Sequence, residues 1–201
     1  MPVVLVHGFL VGPLSCVWLA RHLRRSGFQP HTFAYSTRAE TLSEAAERLL
    51  AYARTLQVNE LHWVGHSLGG LVILAMLEAA REQRIELPPG RVVLLGSPVR
   101  GASAASGLAK NPLGSWLLGQ ARGSLSQSFQ SAPAGRPTTV IRGTRSLGMG
   151  RWFEALPTPN DGTVAVAETT LDGAQCVELP TTHAGLLLSP TVAQHVVSAL
   201  R

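Results

Sequence analysis

Ser67 stands at the centre of Gly65-His66-Ser67-Leu68-Gly69. An apolar run, Leu61-His62-Trp63-Val64, precedes it and a helical run, Leu71-Val72-Ile73-Leu74-Ala75-Met76-Leu77, follows. In that setting Gly-x-Ser-x-Gly reads as strand, sharp turn and helix, an elbow that lifts the serine oxygen clear of the backbone. A serine hydroxyl attacks a carbonyl carbon only when a base takes its proton. Gly65 and Gly69 lack Cβ, so strand and helix can pass close on either side. A helix starting at Leu68 turns backbone N–H groups toward the place where negative charge would develop.

The base needs an orienting acid, and an elbow of this kind is followed first by Asp or Glu and then by His. The chain has two aspartates. Asp161 lies in Asn160-Asp161-Gly162, a turn after the fifth predicted strand. Asp172 lies in Leu171-Asp172-Gly173, a turn just before the sixth. Asp161 is the better-placed acid, with Glu154 and Glu168 open as substitutes. Of seven histidines, His22 and His195 are expected on helix surfaces, and His31 and His62 within strands. His66 belongs to the elbow turn and His7 to the loop after the first strand. His183 alone follows the acid, in a loop after the last strand, and is the expected base. Two preorganised N–H donors would complete the site: Leu68, directly after the serine, and Phe9, after His7-Gly8.

These residues need a scaffold. Pro2 to Val6 is a continuous apolar run, as expected of a strand buried on both faces. Ser15 to Ser26 reads as a helix and Phe28 to Tyr35 as a second strand. Thr41-Leu42-Ser43-Glu44 is a capping box opening a helix with Leu42, Ala46, Leu49, Ala53 and Leu56 on one stripe. The elbow strand, Leu61 to Gly65, leads into a helix from Leu68 to Gln83. Strands follow at Arg91 to Gly96, Thr138 to Gly143 and Gln175 to Leu179. Ser189 and Pro190 then open the last helix. Alternating strands and helices predict a doubly wound, mostly parallel α/β sheet of about six strands, with its ligand site beyond the strands' carboxyl ends.

At 201 residues the chain is expected to form one domain, 1–201, with a cap-like excursion over the Gly/Ala/Ser-rich stretch 101–135. Trp116, Leu117 and Leu118 form an apolar island there and are candidate substrate-binding residues. Hydrophobic content of 45% against 14% charged argues against disorder. No apolar run is long enough for a membrane span. The net charge is +5, and all but one of the 17 basic residues are arginine. They are scattered and accompany no nucleic-acid motif, so no nucleic-acid partner is expected. Cys16 and Cys176 fit no metal or redox motif and are expected to be buried free thiols. With the first strand starting at Pro2, the chain is expected to be cytoplasmic, or a mature form from which a leader was removed.

Val4-Leu5-Val6-His7-Gly8-Phe9, Gly65-His66-Ser67-Leu68-Gly69-Gly70, Asn160-Asp161-Gly162-Thr163-Val164 and His183-Ala184-Gly185-Leu186 together resemble the bacterial α/β-hydrolase lipases and esterases. In size the chain is similar to their small, nearly lidless members. Leu95-Gly96-Ser97-Pro98-Val99-Arg100-Gly101 resembles the segment that follows their elbow helix. The resemblance implies the α/β-hydrolase fold and hydrolysis of carboxylic esters, of small molecules or lipids, through an acyl-enzyme without a cofactor. It carries the roles of nucleophile to Ser67, acid to Asp161, base to His183 and oxyanion donors to Phe9 and Leu68. Acidic positions beside the histidine loop are too few for a calcium site, and no metal is expected. An acyl thioesterase or acyltransferase would use the same triad, and a small-molecule amidase is a variant of the ester reading. A non-catalytic scaffold would be expected to lack a triad residue, and all three are present.

Overall fold

The computed structural model describes residues 1–101, 128–147 and 156–201. Six strands form one sheet: β1 (Pro2–Val6), β2 (Gln29–Phe33), β3 (His62–His66), β4 (Val92–Leu95), β5 (Thr138–Gly143) and β6 (Gln175–Leu179). Their order is β2-β1-β3-β4-β5-β6, and every neighbouring pair is parallel. Parallel strands need crossovers, and the helices that supply them cover both faces. Alternate residues of β1 face opposite cores. Val4 and Val6 pack with α2 (Leu42–Thr55) and α3 (Leu68–Glu82), while Val3 and Leu5 pack with α1 (Val17–Arg25) and α5 (Pro190–Ala199). A short helix, α4 (Gly185–Leu188), adds Leu186 and Leu187 to the second core.

The direction of strand addition reverses at β1. The chain runs outward from β1 to β2, then returns to place β3 on the other side of β1. At such a switch point the loops leaving β1 and β3 diverge to opposite faces and open a crevice at the strands' carboxyl ends. Phe9 leaves β1 there, and Ser67 leaves β3.

The predicted capping box is present, with Glu44 N–H donating to Thr41 Oγ1 at 3.2 Å and Thr41 N–H to Glu44 at 2.8 Å. The Ser189 cap with Pro190 behind it is present too. Three expectations are corrected. The first helix begins with a 3-10 turn, Pro13–Cys16, before α1, where Ser15 N–H (3.3 Å) and Ser15 Oγ (2.7 Å) both donate back to Gly12 O. The second strand is shorter than expected, because β1 pairs with it only from Gln29 to Phe33. Cys176 is a free thiol, as Cys16 is, yet only Cys16 is buried. Cys176 lies on β6, which among the described residues is the outermost strand. Most of the cap-like excursion, including Trp116, Leu117 and Leu118, lies outside the described residues. Its end at 128–135 is irregular chain tied back by Phe129 N–H to Val99 O (2.7 Å) and Ala132 N–H to Asp172 O (2.8 Å). Among the described residues no helix is long and apolar enough to cross a membrane.

Candidate active site

Ser67 sits between β3 and α3 with φ 53° and ψ −123°, backbone angles that a side chain disfavours and glycine tolerates. The elbow is held by its neighbours. Ser67 N–H donates to Leu95 O of β4 at 2.9 Å, and Gly70 N–H closes the turn on Ser67 O at 3.0 Å. A Cβ on Gly69 would run into the Val6 carbonyl, so the close approach expected of that glycine is real. Leu68 is the first residue of α3, and a first-turn N–H has no carbonyl within its own helix.

The loop after β1 is buttressed from β2. Tyr35 Oη donates to His7 O at 3.0 Å, and its ring stacks on the His7 imidazole at 4.6 Å. Leu10 N–H is engaged by Thr37 Oγ1 at 3.3 Å. The neighbouring Phe9 N–H has no acceptor among the described residues, and neither do those of Gly8, Val11 and Gly12.

On the far side of the crevice, Asp161 is buried to 1% exposure. Its Oδ1 accepts Thr163 N–H (2.9 Å) and Val164 N–H (2.7 Å), and its Oδ2 meets His183 Nδ1 at 2.6 Å. A carboxylate only accepts, so Nδ1 carries the proton and Nε2 is the bare, basic nitrogen. The main chains are tied as well, His183 N–H donating to Asp161 O at 2.9 Å. Gly96 makes room for this pair. It has φ +55°, and a Cβ there would stand 3.0 Å from Asp161 Oδ2 and 3.2 Å from His183 Nδ1. Ser67 and His183 are linked through His66, whose ring centroid is 4.7 Å from that of His183. No direct hydrogen bond between Ser67 and His183 is among those described, as is common where no substrate draws base and nucleophile together.

The other carboxylates lie elsewhere. Asp172 pairs with Arg100 at 2.9 Å, and Glu168 caps a 3-10 turn through Ala165 N–H at 2.8 Å. Glu154 lies outside the described residues. Among the described residues no three His, Cys, Asp or Glu side chains cluster as metal ligands. Sequence reasoning passed over Tyr35, Thr37 and His66, which support the crevice from behind. Only the adjacency of His66 to Ser67 could have drawn attention to it.

His66 also sets a pH dependence. Burial, with the nearby His183 acting in the same direction, lowers its pKa from 6.5 to about 3. The folded protein therefore refuses a proton that the unfolded chain accepts. This contribution to stability is intact above about pH 6.5 and is lost as pH falls toward 3, at about 1 kcal/mol per pH unit. Burial shifts His7 and His62 in the same direction. The urea midpoint is expected to drop between pH 7 and pH 5. A midpoint that is flat over that range would mean His66 is not buried neutral.

A parallel sheet with a serine elbow at its switch point and a histidine–carboxylate pair beyond its last strands is the α/β-hydrolase class of fold. The chain belongs to the alpha/beta hydrolase family, which it matches over residues 3–197. Among solved structures it is similar to a lipase of Bacillus licheniformis, BlEst2, in its mature form. The TM-score is 0.76 and the identity 18%, over 98% of this chain and 91% of that one. It is also similar to the RedJ thioesterase of the Streptomyces coelicolor prodiginine pathway (TM-score 0.67, 15% identity, 99% and 85% covered). A third likeness is to an extracellular alpha/beta-hydrolase from a Paenibacillus species (TM-score 0.65, 15% identity, 100% and 99% covered). At these identities the likeness is one of fold. No curated protein matches the chain.

Proposed function

We propose that this protein is a serine hydrolase of carboxylic esters, similar to the small lipases and esterases with little lid. Ser67 is the nucleophile, His183 the base, Asp161 its orienting acid, and the N–H groups of Phe9 and Leu68 the oxyanion donors. The observation that carries the reading is the 2.6 Å contact of His183 Nδ1 with Asp161 Oδ2. It leaves Nε2 basic on the same edge of the sheet as the strained Ser67.

Each step follows from that tautomer. Ser67 Oγ attacks the ester carbonyl carbon as its proton passes to His183 Nε2. The imidazolium so formed is stabilised by the Asp161 carboxylate. The carbonyl oxygen becomes an oxyanion, met by main-chain donors that need no reorganisation. The C–O bond then breaks as Nε2–H protonates the departing alcohol. Water repeats the sequence on the acyl-enzyme, restoring Ser67 and releasing the acid. Each step conserves protons, and the protein's own groups suffice.

An apolar substrate is favoured by the loop that carries Phe9. Leu10 and Val11 are exposed in that loop, Leu14 in the 3-10 turn that follows it, to 81%, and Val17 at the start of α1. In our reading Trp116, Leu117 and Leu118 are the residues that bind the acyl chain. A series of p-nitrophenyl esters from acetate upward, with Ser67→Ala as the blank, tests the proposal. Turnover above the blank is expected for all short esters. Each added CH₂ should raise kcat/KM by up to about fourfold until the groove is filled. No turnover above the blank with any ester would refute the ester reading. Preference for acyl thioesters in direct competition would place the chain with thioesterases instead.

A further inference from the structure

His66 is the last residue of β3 and lies between two loops that must stay in register. Its Nε2 is 3.1 Å from the main-chain carbonyl oxygen of His183. A carbonyl only accepts, so Nε2 carries the proton and donates, and Nδ1 is the bare nitrogen. Nδ1 has no hydrogen-bond partner among the described residues. It faces the other loop, since a Cβ on Gly8 would stand 2.8 Å from it and 3.0 Å from Ser67 Cβ. The residue is 4% exposed, and its ring is tilted at 45° to that of His183. One neutral imidazole thus touches the segment before Phe9 on one edge and the backbone of His183 on the other, while its own main chain leads into Ser67.

Resting on the hydrolase reading above, we infer that His66 is a positioning residue: its Nε2–H holds the His183 backbone so that the imidazole stays both on Asp161 and over Ser67. His183 is the second residue after Thr181 in a loop, and side-chain packing alone sets a loop less tightly than a directed hydrogen bond does. Two main-chain ties hold it, the His183 N–H to Asp161 O and the His183 O to His66 Nε2. Together they fix both sides of the residue, and the second comes from the strand that presents the nucleophile. Protonation would put a positive charge beside the ring that must itself become an imidazolium. The titratable neighbours facing His66 are His7 and His183, and its burial keeps it neutral beside them.

Two substitutions separate reach from polarity. In His66→Gln the side-chain amide nitrogen falls where Nε2 was and still donates to His183 O. In His66→Asn the amide falls at the Nδ1 position and stops short. The first readout is the low-field proton resonance of the His183–Asp161 hydrogen bond, assigned by its loss in Asp161→Asn. The second is kcat and KM on p-nitrophenyl butyrate. Expected is that His66→Gln keeps the resonance and stays within about threefold of wild type, whereas His66→Asn loses the resonance and on the order of 10²-fold in kcat at little-changed KM. Equal losses in both variants, or none in either, overturn the assignment. If the wild type and His66→Gln show the resonance and His66→Asn does not, yet no ester is turned over, His66 still positions His183, and it is the ester reading that fails.

Discussion

Replacing Ser67 by glycine is expected to abolish turnover and to make the protein more stable. The two effects have separate causes. In the proposed mechanism, removing the hydroxyl removes the nucleophile, a loss on the order of 10⁶-fold in kcat by analogy with other serine nucleophiles. The gain comes from the backbone. Ser67 is held at φ 53° and ψ −123°, and a side chain there costs about 1–3 kcal/mol. Glycine adopts these angles freely, although its more flexible unfolded chain returns roughly 0.5–1 kcal/mol. The net should be about 1 kcal/mol, a rise of roughly 2–4 °C in Tm for a chain of this size. Thermal melts and ester turnover on the same preparations check both halves. A glycine variant that melts lower than wild type would show that Ser67 is not strained. One that still turns over esters would show that it is not the nucleophile.

Asp161→Asn is expected to fold normally and lose on the order of 10⁴-fold in kcat. The geometry says why so small a change matters. The N–H groups of Thr163 and Val164 both point at Oδ1. An asparagine must therefore leave its oxygen there and turn its amide nitrogen to His183. That nitrogen donates, so His183 Nδ1 has to accept, and the imidazole proton moves to Nε2. The base is then protonated on the side where it should take a proton. The two loop hydrogen bonds survive, so circular dichroism should match wild type. Near-normal turnover would transfer the role of acid to another carboxylate. Asp172 is committed to Arg100 and Glu168 to Ala165 N–H, so neither is free to move without rearrangement.

The elbow was legible because its signal is local. Ser67 needs a strand before it, a helix after it and glycines beside it, and all three are written within twenty residues. The strands of the central sheet were legible for the same reason. Val3 to Val6 and Val92 to Leu95 are buried on both faces, and burial on both faces leaves no polar alternation. Chain order singled out Asp161 and His183 as the candidates for acid and base.

Other features depended on which segments meet. Strand order, with its reversal at β1, follows from how helices cover both faces at once, and no single segment encodes it. That order puts the loop after β1 against the elbow, where a Cβ on Gly8 would stand 3.0 Å from Ser67 Cβ, and it makes β6 the edge among the described strands, so Cys176 is exposed although its sequence reads as a buried strand. The partner of His183 was one carboxylate among several in the sequence. In the fold the Thr163 and Val164 amides orient Asp161 toward it, an arrangement that depends on where β5 and β6 end. His66 reads as an ordinary turn residue, and its contact with the His183 carbonyl joins positions 117 residues apart. Local patterns record what each segment must bury, and so they determine elements and the elbow. Hydrogen-bond partners far apart in the chain leave no periodicity, and only the packed structure decides them.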